Sequence, residues 1–316
     1  MTIASIERVA VIGTGVIGAS WTACFLARGL GVTAWDPAPG AEAALRAAVA
    51  AHWPAMQAMG LAPGASPEAL RFAGSAEEAA AAADFVQENG PERLDLKREL
   101  YARLDAATGP EVILASSSST LLMSEVQVAC ARHPERVVLG HPFNPPHLIP
   151  LVEVLGGKAT AEAVLDRAMA FYAGIGKKPI RLRREIRGHV ANRLQAALWQ
   201  EAFHLVQAGV AGVEEIDAAI AHGPGLRWAL LGPFLNLHLS GGPGGIGALF
   251  GKPLWQATER MWRELGEVSV DAALGGDVAA GVAQELSGRD QAEMVRQRDA
   301  VLLELLRLKA DAGTLP

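Results

Sequence analysis

The chain has 316 residues, half of them apolar, with two cysteines and a formal charge of −6. That size permits a large core and two domains. The scattered basic residues leave no nucleic-acid footprint, no uninterrupted apolar run reaches membrane-spanning length, and two cysteines cannot make a disulfide framework. Met1–Arg8 lacks a basic segment followed by an apolar one, so a cytoplasmic protein is expected.

The first predicted strand, Val9–Ile12, runs into Gly13-Thr-Gly15-Val16-Ile17-Gly18 and a helix, and the second, Gly31–Trp35, ends on Asp36. A strand, tight turn, helix and strand within about thirty residues form a dinucleotide fingerprint. Gly13 would permit the turn, Gly15 would let a pyrophosphate approach the backbone, and Gly18 would let helix and strand pack closely. The pyrophosphate would sit at the helix N-terminus, where unpaired N–H groups and the dipole favour an anion. Asp36 can accept bonds from ribose hydroxyls and would repel an extra phosphate, and Pro37 and Ala38 follow where an NADP enzyme would want arginine. NAD is therefore the expected cofactor, with Gly13, Gly15, Val16, Ile17, Gly18 and Asp36 as its candidate contacts.

Further along, a helix is predicted over Ala41–Met59, a polar turn over 61–67, and helix through the alanine run 79–83. Short apolar strands follow at Phe85–Gln87, Val112–Ala115, Val137–Leu139, Leu148–Val154 and Pro179–Leu182. The alternation predicts an α/β fold with a parallel, doubly wound (Rossmann-type) sheet. From Gly188 onward the pattern is helical: Ala191–Gln207, Val213–Ala221, a Gly/Pro-interrupted section 223–253 and a last helix over Gln291–Lys309. We place the boundary after Arg187, giving an NAD-binding domain at 1–187 and an all-α substrate and dimerisation domain at 188–316. The run Gly241–Gly247 leading to Gly251 and Lys252 fails as a phosphate loop. Ile246 stands at the first required glycine and Pro253 where Ser or Thr should be, so a flexible connector is expected. Cys24 and Cys130 read as packing residues.

The chemical centre is Gly140-His141-Pro142-Phe143-Asn144-Pro145-Pro146, with Glu153 twelve residues beyond the histidine. His141 follows a predicted strand end, and open α/β sheets bind ligands beyond the strand carboxyl ends. Imidazole is the ring whose ordinary pKa suits proton exchange near neutrality, although a histidine taken alone there is more often a hydrogen-bonded structural residue. Upstream, Ser116-Ser-Ser-Ser-Thr120 ends another buried strand and could be a helix-capping cluster, a wall of the site, or both.

Several ordered motifs carry a resemblance over nearly the whole chain. They are the glycine fingerprint, Glu92-Arg-Leu-Asp-Leu-Lys97, Ser119-Thr120-Leu121, His141-Pro-Phe-Asn-Pro145, Leu151-Val-Glu-Val154 and Gly188-His-Val-Ala-Asn-Arg193. Together they resemble the 3-hydroxyacyl-CoA dehydrogenase family. The resemblance implies that His141 is the catalytic base, Glu153 its partner, Ser119 and Asn192 contacts of the substrate oxygen, and Glu92 and Lys97 part of the cofactor site. On the residues alone, Asn192 could be an exposed polar position and Glu153 a surface carboxylate.

Acyl-CoA members carry lysines after the second strand, where coenzyme A phosphates bind. Here no lysine precedes Lys97, and segment 37–75 offers only Arg46 and Arg71. Gly223–Pro233, with Pro145-Pro146 after the histidine, looks like the branch holding lambda-crystallin (L-gulonate 3-dehydrogenase) and L-carnitine dehydrogenase. The expected reaction is NAD-dependent oxidation of the 3-hydroxyl of an L-3-hydroxy acid. A free small acid such as L-carnitine or L-gulonate is favoured over a 3-hydroxybutyryl-CoA-type thioester or a non-enzymatic role. Arg227 could clamp the carboxylate or form a plain salt bridge. Phe143, Trp199, Phe203 and Trp228 offer faces for a trimethylammonium group, or are core. His147 departs from the tyrosine of these relatives. An apolar helical second domain suggests a homodimer.

Overall fold

The computed structural model describes residues 6–250 and 252–315. Met1–Ser5, on which the N-terminal reading rested, and Gly251 of the phosphate-loop-like run lie outside them. The chain divides into two compact units, one through Asn192 and one from Arg193. Among the described residues, no helix is long and apolar enough to cross a membrane.

The first unit is one eight-stranded sheet. Its strands are β1 Arg8–Ile12, β2 Gly31–Trp35, β3 Leu70–Phe72, β4 Phe85–Glu88, β5 Ile113–Ser116, β6 Val137–Pro142, β7 Leu151–Gly156 and β8 Lys178–Arg181, in the order β3-β2-β1-β4-β5-β6-β7-β8. Its helices are α1 Val16–Ala27, α2 Ala41–Ala58, α3 Ala76–Ala81, α4 Leu94–Ala107, α5 Met123–Val126 and α6 Glu162–Gly174. Central strands are buried on both faces, as parallel strands covered by helices are; they open on apolar residues and carry the buried polar Gln87, Glu88, Ser116 and His141 toward their ends. Between α1, α6 and the sheet, Trp21 stacks on Phe25 at 5.1 Å and Phe85 meets Phe171 at 4.3 Å. Burying each such ring contributes roughly 1.5–3 kcal/mol.

The sheet is doubly wound and parallel, as expected, except at one pairing. β7 pairs antiparallel with β6, and β8 runs parallel to β7. Residues 143–150 are too few for a crossover, which takes a dozen or more. The strand expected from Leu148 begins at Leu151, because the Leu148 and Ile149 N–H groups both close a turn onto the Pro145 carbonyl. β3 was not foreseen, since three residues are too few to show a period. The alanine run leaves its helix after Ala81, where Ala83 N–H bonds back to the Ala80 carbonyl.

The second unit is helical, as expected: α7 Ala191–Gln207, which starts in the first unit, α8 Val213–Ala221, α9 Pro224–Trp228, α10 Pro233–Ser240, α11 Pro253–Glu264, α12 Ala272–Glu285 and α13 Gln291–Asp311. The Gly/Pro-interrupted section 223–253 holds α9 and α10, and the run expected to be a connector carries 3-10 turns over Gly242–Ala248. α11 and α12 were not foreseen; α12 is capped by Asp271, whose side chain accepts the Leu274 N–H. Among the described residues of this unit, Leu274 is the one large apolar side chain that is buried.

Candidate active site

The glycine turn is built as a cradle. Gly13 sits at φ +87°, and a Cβ there would press on the Asn89 and Gly90 backbone. A Cβ on Gly18 would overlap the Gly13 carbonyl oxygen. Gly15 differs: its backbone is ordinary extended chain, and a Cβ would meet nothing within 4 Å. The fold itself does not require that glycine, so the open space above it fits a ligand. α1 behind it has no side-chain cap and no acid in its first turn, and Val16 is 73% exposed at its start with Ile17 half-buried. Its N–H groups therefore point at the cradle without competition. Asp36 holds the turn from the β2 end by accepting the Thr14 N–H at 2.8 Å and the Ala38 N–H at 2.9 Å. Beside Ala38, a cavity of about 490 Å³ is lined by Gly40, Glu42, Arg46 and Phe72. These features fit the diphosphate and the adenosine of NAD.

Lys97, expected to line the cofactor site, is buried. Its ammonium donates to both oxygens of Glu88 at 2.6 and 2.8 Å and to the Gly90 carbonyl. Glu88 in turn accepts the Gly90 N–H and the Ser116 hydroxyl. Lys97 thus braces the 89–90 loop against which Gly13 packs. Glu92 occupies the next turn, where one oxygen accepts from the Ser118 hydroxyl and from the Thr120 N–H and hydroxyl. Burial pushes its carboxyl upward, but these donors outweigh burial and hold it below its ordinary value.

The antiparallel pairing of β6 and β7 brings the two candidate proton-transfer residues together. His141 of β6 stands directly opposite Glu153 of β7, and their side chains meet with Nδ1 2.8 Å from Oε2. The other Glu153 oxygen accepts the Val190 and Ala191 N–H groups at 2.9 and 3.0 Å. Burial raises the carboxyl's pKa, whereas His141 and these two N–H groups lower it further, so the net direction is down. An ionised carboxylate only accepts, so Nδ1 carries a proton, and it is Nε2 that presents a lone pair in the neutral form of the ring. Ser119 Oγ lies 3.2 Å from that Nε2, on the loop leaving β5. Asn192 is half-buried at the second position of α7, one residue past the N–H that holds Glu153.

Other candidates fall elsewhere. Phe143 is half-buried in the loop after β6. Arg227 and Trp228 lie at the end of α9 in the second unit, both exposed. His147 is buried: Ser20 Oγ bonds both its N–H and its Nδ1 at 2.7 Å, and its ring stacks on His52 at 4.0 Å. The residue pattern assigned no role to Glu88, Ser118 or His189. His189 lies within the Gly188–Arg193 motif, but its contacts come from segments distant in sequence. Among the described residues, no His, Cys, Asp and Glu group could hold a metal.

The NAD binding domain of 3-hydroxyacyl-CoA dehydrogenase matches residues 8–186, and the C-terminal domain of that family matches 188–273. L-carnitine dehydrogenase of Streptomyces griseus is 51% identical over 98% of this chain and 91% of its own. That of Pseudomonas aeruginosa is 50% identical over 96% and 94%. Among solved structures, an NAD+-dependent dismutase, 5-formyl-3-hydroxy-2-methylpyridine 4-carboxylic acid 5-dehydrogenase, superposes with a TM-score of 0.83 at 26% identity, covering 97% of this chain and 99% of that one. The chain belongs to the 3-hydroxyacyl-CoA dehydrogenase family and is an NAD-dependent oxidoreductase acting on a CH–OH group.

Proposed function

We propose that the chain oxidises the 3-hydroxyl of a free L-3-hydroxy acid, L-carnitine, to the 3-oxo acid. The observation that carries the reaction is the hydrogen-bonded line Ser119, His141, Glu153. His141 Nε2 accepts the hydroxyl proton as the C–H hydride leaves, and Glu153 stabilises the imidazolium that results. Ser119 and Asn192 hold the substrate oxygen in line. NAD, when bound, supplies the hydride acceptor. Gly15 and the α1 N-terminus take its diphosphate, Asp36 its adenosine ribose, and the Glu92 turn its nicotinamide end.

The choice of a free acid is supported by the identity to L-carnitine dehydrogenases and by a segment 37–75 that holds only two arginines. Arg46 is already paired with Glu42 at 2.8 Å. Of the groups such an acid needs, Arg227 offers a planar fork suited to the carboxylate, and Phe143 in the first unit offers an aromatic face suited to the trimethylammonium group. The helical unit pairs with a second copy, which covers exposed Trp199, Phe234 and Trp262. We place the enzyme in the cytoplasm, where Cys24 and Cys130, both buried as free thiols, stay reduced.

The test is NADH formation by the purified chain with L-carnitine, L-gulonate, L-3-hydroxybutyrate and 3-hydroxybutyryl-CoA. Turnover of L-carnitine well above the others is expected. Turnover of the thioester alone would overturn the free-acid reading.

A further inference from the structure

We propose that His189 is a positioning residue for this reaction: it clasps the serine loop through the Ser118 carbonyl so that Ser119 Oγ stays aimed at His141. This rests on the proton-transfer roles proposed above.

His189 is 1% exposed, and its Nε2 lies 3.1 Å from the Ser118 carbonyl oxygen. A carbonyl only accepts, so Nε2 carries the proton. The other ring nitrogen, Nδ1, is buried and has no partner among the described residues. Burial lowers the pKa of the ring and keeps it neutral, which leaves a bare lone pair at Nδ1. The backbone is unusual as well. His189 stands at φ +50°, the left-handed region that a non-glycine residue seldom takes. A phenylalanine would fill the same space with no unpaired nitrogen, so packing alone does not account for a histidine here. What the histidine adds is one hydrogen bond, and that bond ends next to Ser119.

The bond closes a circuit. From His189 it runs to the Ser118 carbonyl, through the peptide to Ser119, from Ser119 Oγ to His141, from His141 to Glu153, and from Glu153 to the N–H of Val190, the neighbour of His189. Each member is fixed by the next, and the circuit gathers the ends of β5, β6 and β7 and the start of α7. Glu92 holds the Ser118 hydroxyl from one side while His189 holds its carbonyl from the other. The His189 ring also lies 5.2 Å from that of His141, tilted by 53°, and limits its rocking. Glu92 still holds the Ser118 hydroxyl and Thr120 when the clasp opens, but the Ser118 carbonyl, on the peptide that leads into Ser119, is then released to turn, and the 3.2 Å contact with Nε2 loosens.

The test uses His189→Phe and His189→Asn, which cannot reach the carbonyl, and His189→Gln, whose Nε2 amide can. Asparagine also tolerates the left-handed backbone, so one variant folds even if phenylalanine does not. With L-carnitine, Phe and Asn are expected to lower kcat about tenfold while the KM for NAD stays within about twofold, and Gln is expected to recover to within about threefold. In a Ser119→Ala background, His189→Asn should cost less than about twofold more, because the residue acts through Ser119. A wild-type kcat in both donorless variants, or a loss that multiplies in full with Ser119→Ala, overturns the proposal. Amide exchange over 117–121 with NAD alone needs no turnover. It should quicken in Phe and Asn and not in Gln, and unchanged exchange also overturns the clasp. If the wild-type chain oxidises no hydroxy acid, the proposed function falls while the exchange result still decides His189.

Discussion

Replacing Glu153 by glutamine changes one charge and almost no volume, and its cost follows from the bonds on each oxygen. Val190 and Ala191 both aim N–H groups at Oε1 from 2.9 and 3.0 Å. The glutamine oxygen must take that place, because turning the amide the other way sets NH2 against two donors and leaves each unpaired at about 1–3 kcal/mol. The NH2 then faces His141 Nδ1, which must accept rather than donate. The imidazole proton moves to Nε2, the atom that must receive the substrate's proton. A wrong tautomer of this kind costs about 10⁴ in kcat in the serine-protease triad. We expect a fall of about 10³–10⁴ here, or about 4–5.5 kcal/mol of barrier. The assay is NADH formation at saturating L-carnitine and NAD, with NAD affinity measured separately by titration and expected to stay within about twofold. A fall of less than about tenfold, or an equal loss of NAD affinity, would refute the tautomer argument.

Four further outcomes test separate parts of the structure. Gly18→Ala forces a methyl onto the Gly13 carbonyl and should lower both the melting temperature and NAD affinity, whereas Gly15→Ala, with open space around it, should lower NAD affinity alone. Equal melting of the two variants contradicts the cradle. Lys97→Met strips the buried Glu88 of its partner and should cost about 3–5 kcal/mol in denaturant unfolding, with Lys97→Met/Glu88→Gln recovering part of it. Arg227→Met should raise the KM for the acid and leave kcat nearly unchanged, and an unaltered KM removes the carboxylate clamp. The His189 pKa is depressed by burial, so its neutral-state contribution is fully present above the ordinary histidine value of about 6.5 and is lost as pH falls through the lower folded value. The unfolding free energy of the wild type should therefore drop relative to His189→Phe between about pH 7.5 and about pH 5. A constant difference across that range means the ring is not held neutral.

What could be read from the sequence, and what could not, divides on whether one local constraint admits one residue type. The cradle is legible because the φ of +87° at Gly13 and the near-contact at Gly18 each exclude a side chain, so the requirement is written as glycine at fixed spacing. The family resemblance pointed to His141 and Glu153 as a pair, while their meeting depends on β7 running against β6, a reversal that the apolar pattern of either strand does not encode. Lys97 shows the opposite failure. Nothing in a helix of mixed charge announces that one lysine is buried, and its partner comes from the end of β4. His189 was the least legible, because its contacts come from the ends of β5 and β6, which only the folded sheet brings together. Any side chain that set a donor at the Ser118 carbonyl would serve as the clasp, so residue type carries little signal there. Proton abstraction at Nε2 needs an imidazole, so the proposed base is tied to one residue type within a recognisable motif, whereas the proposed clasp is not.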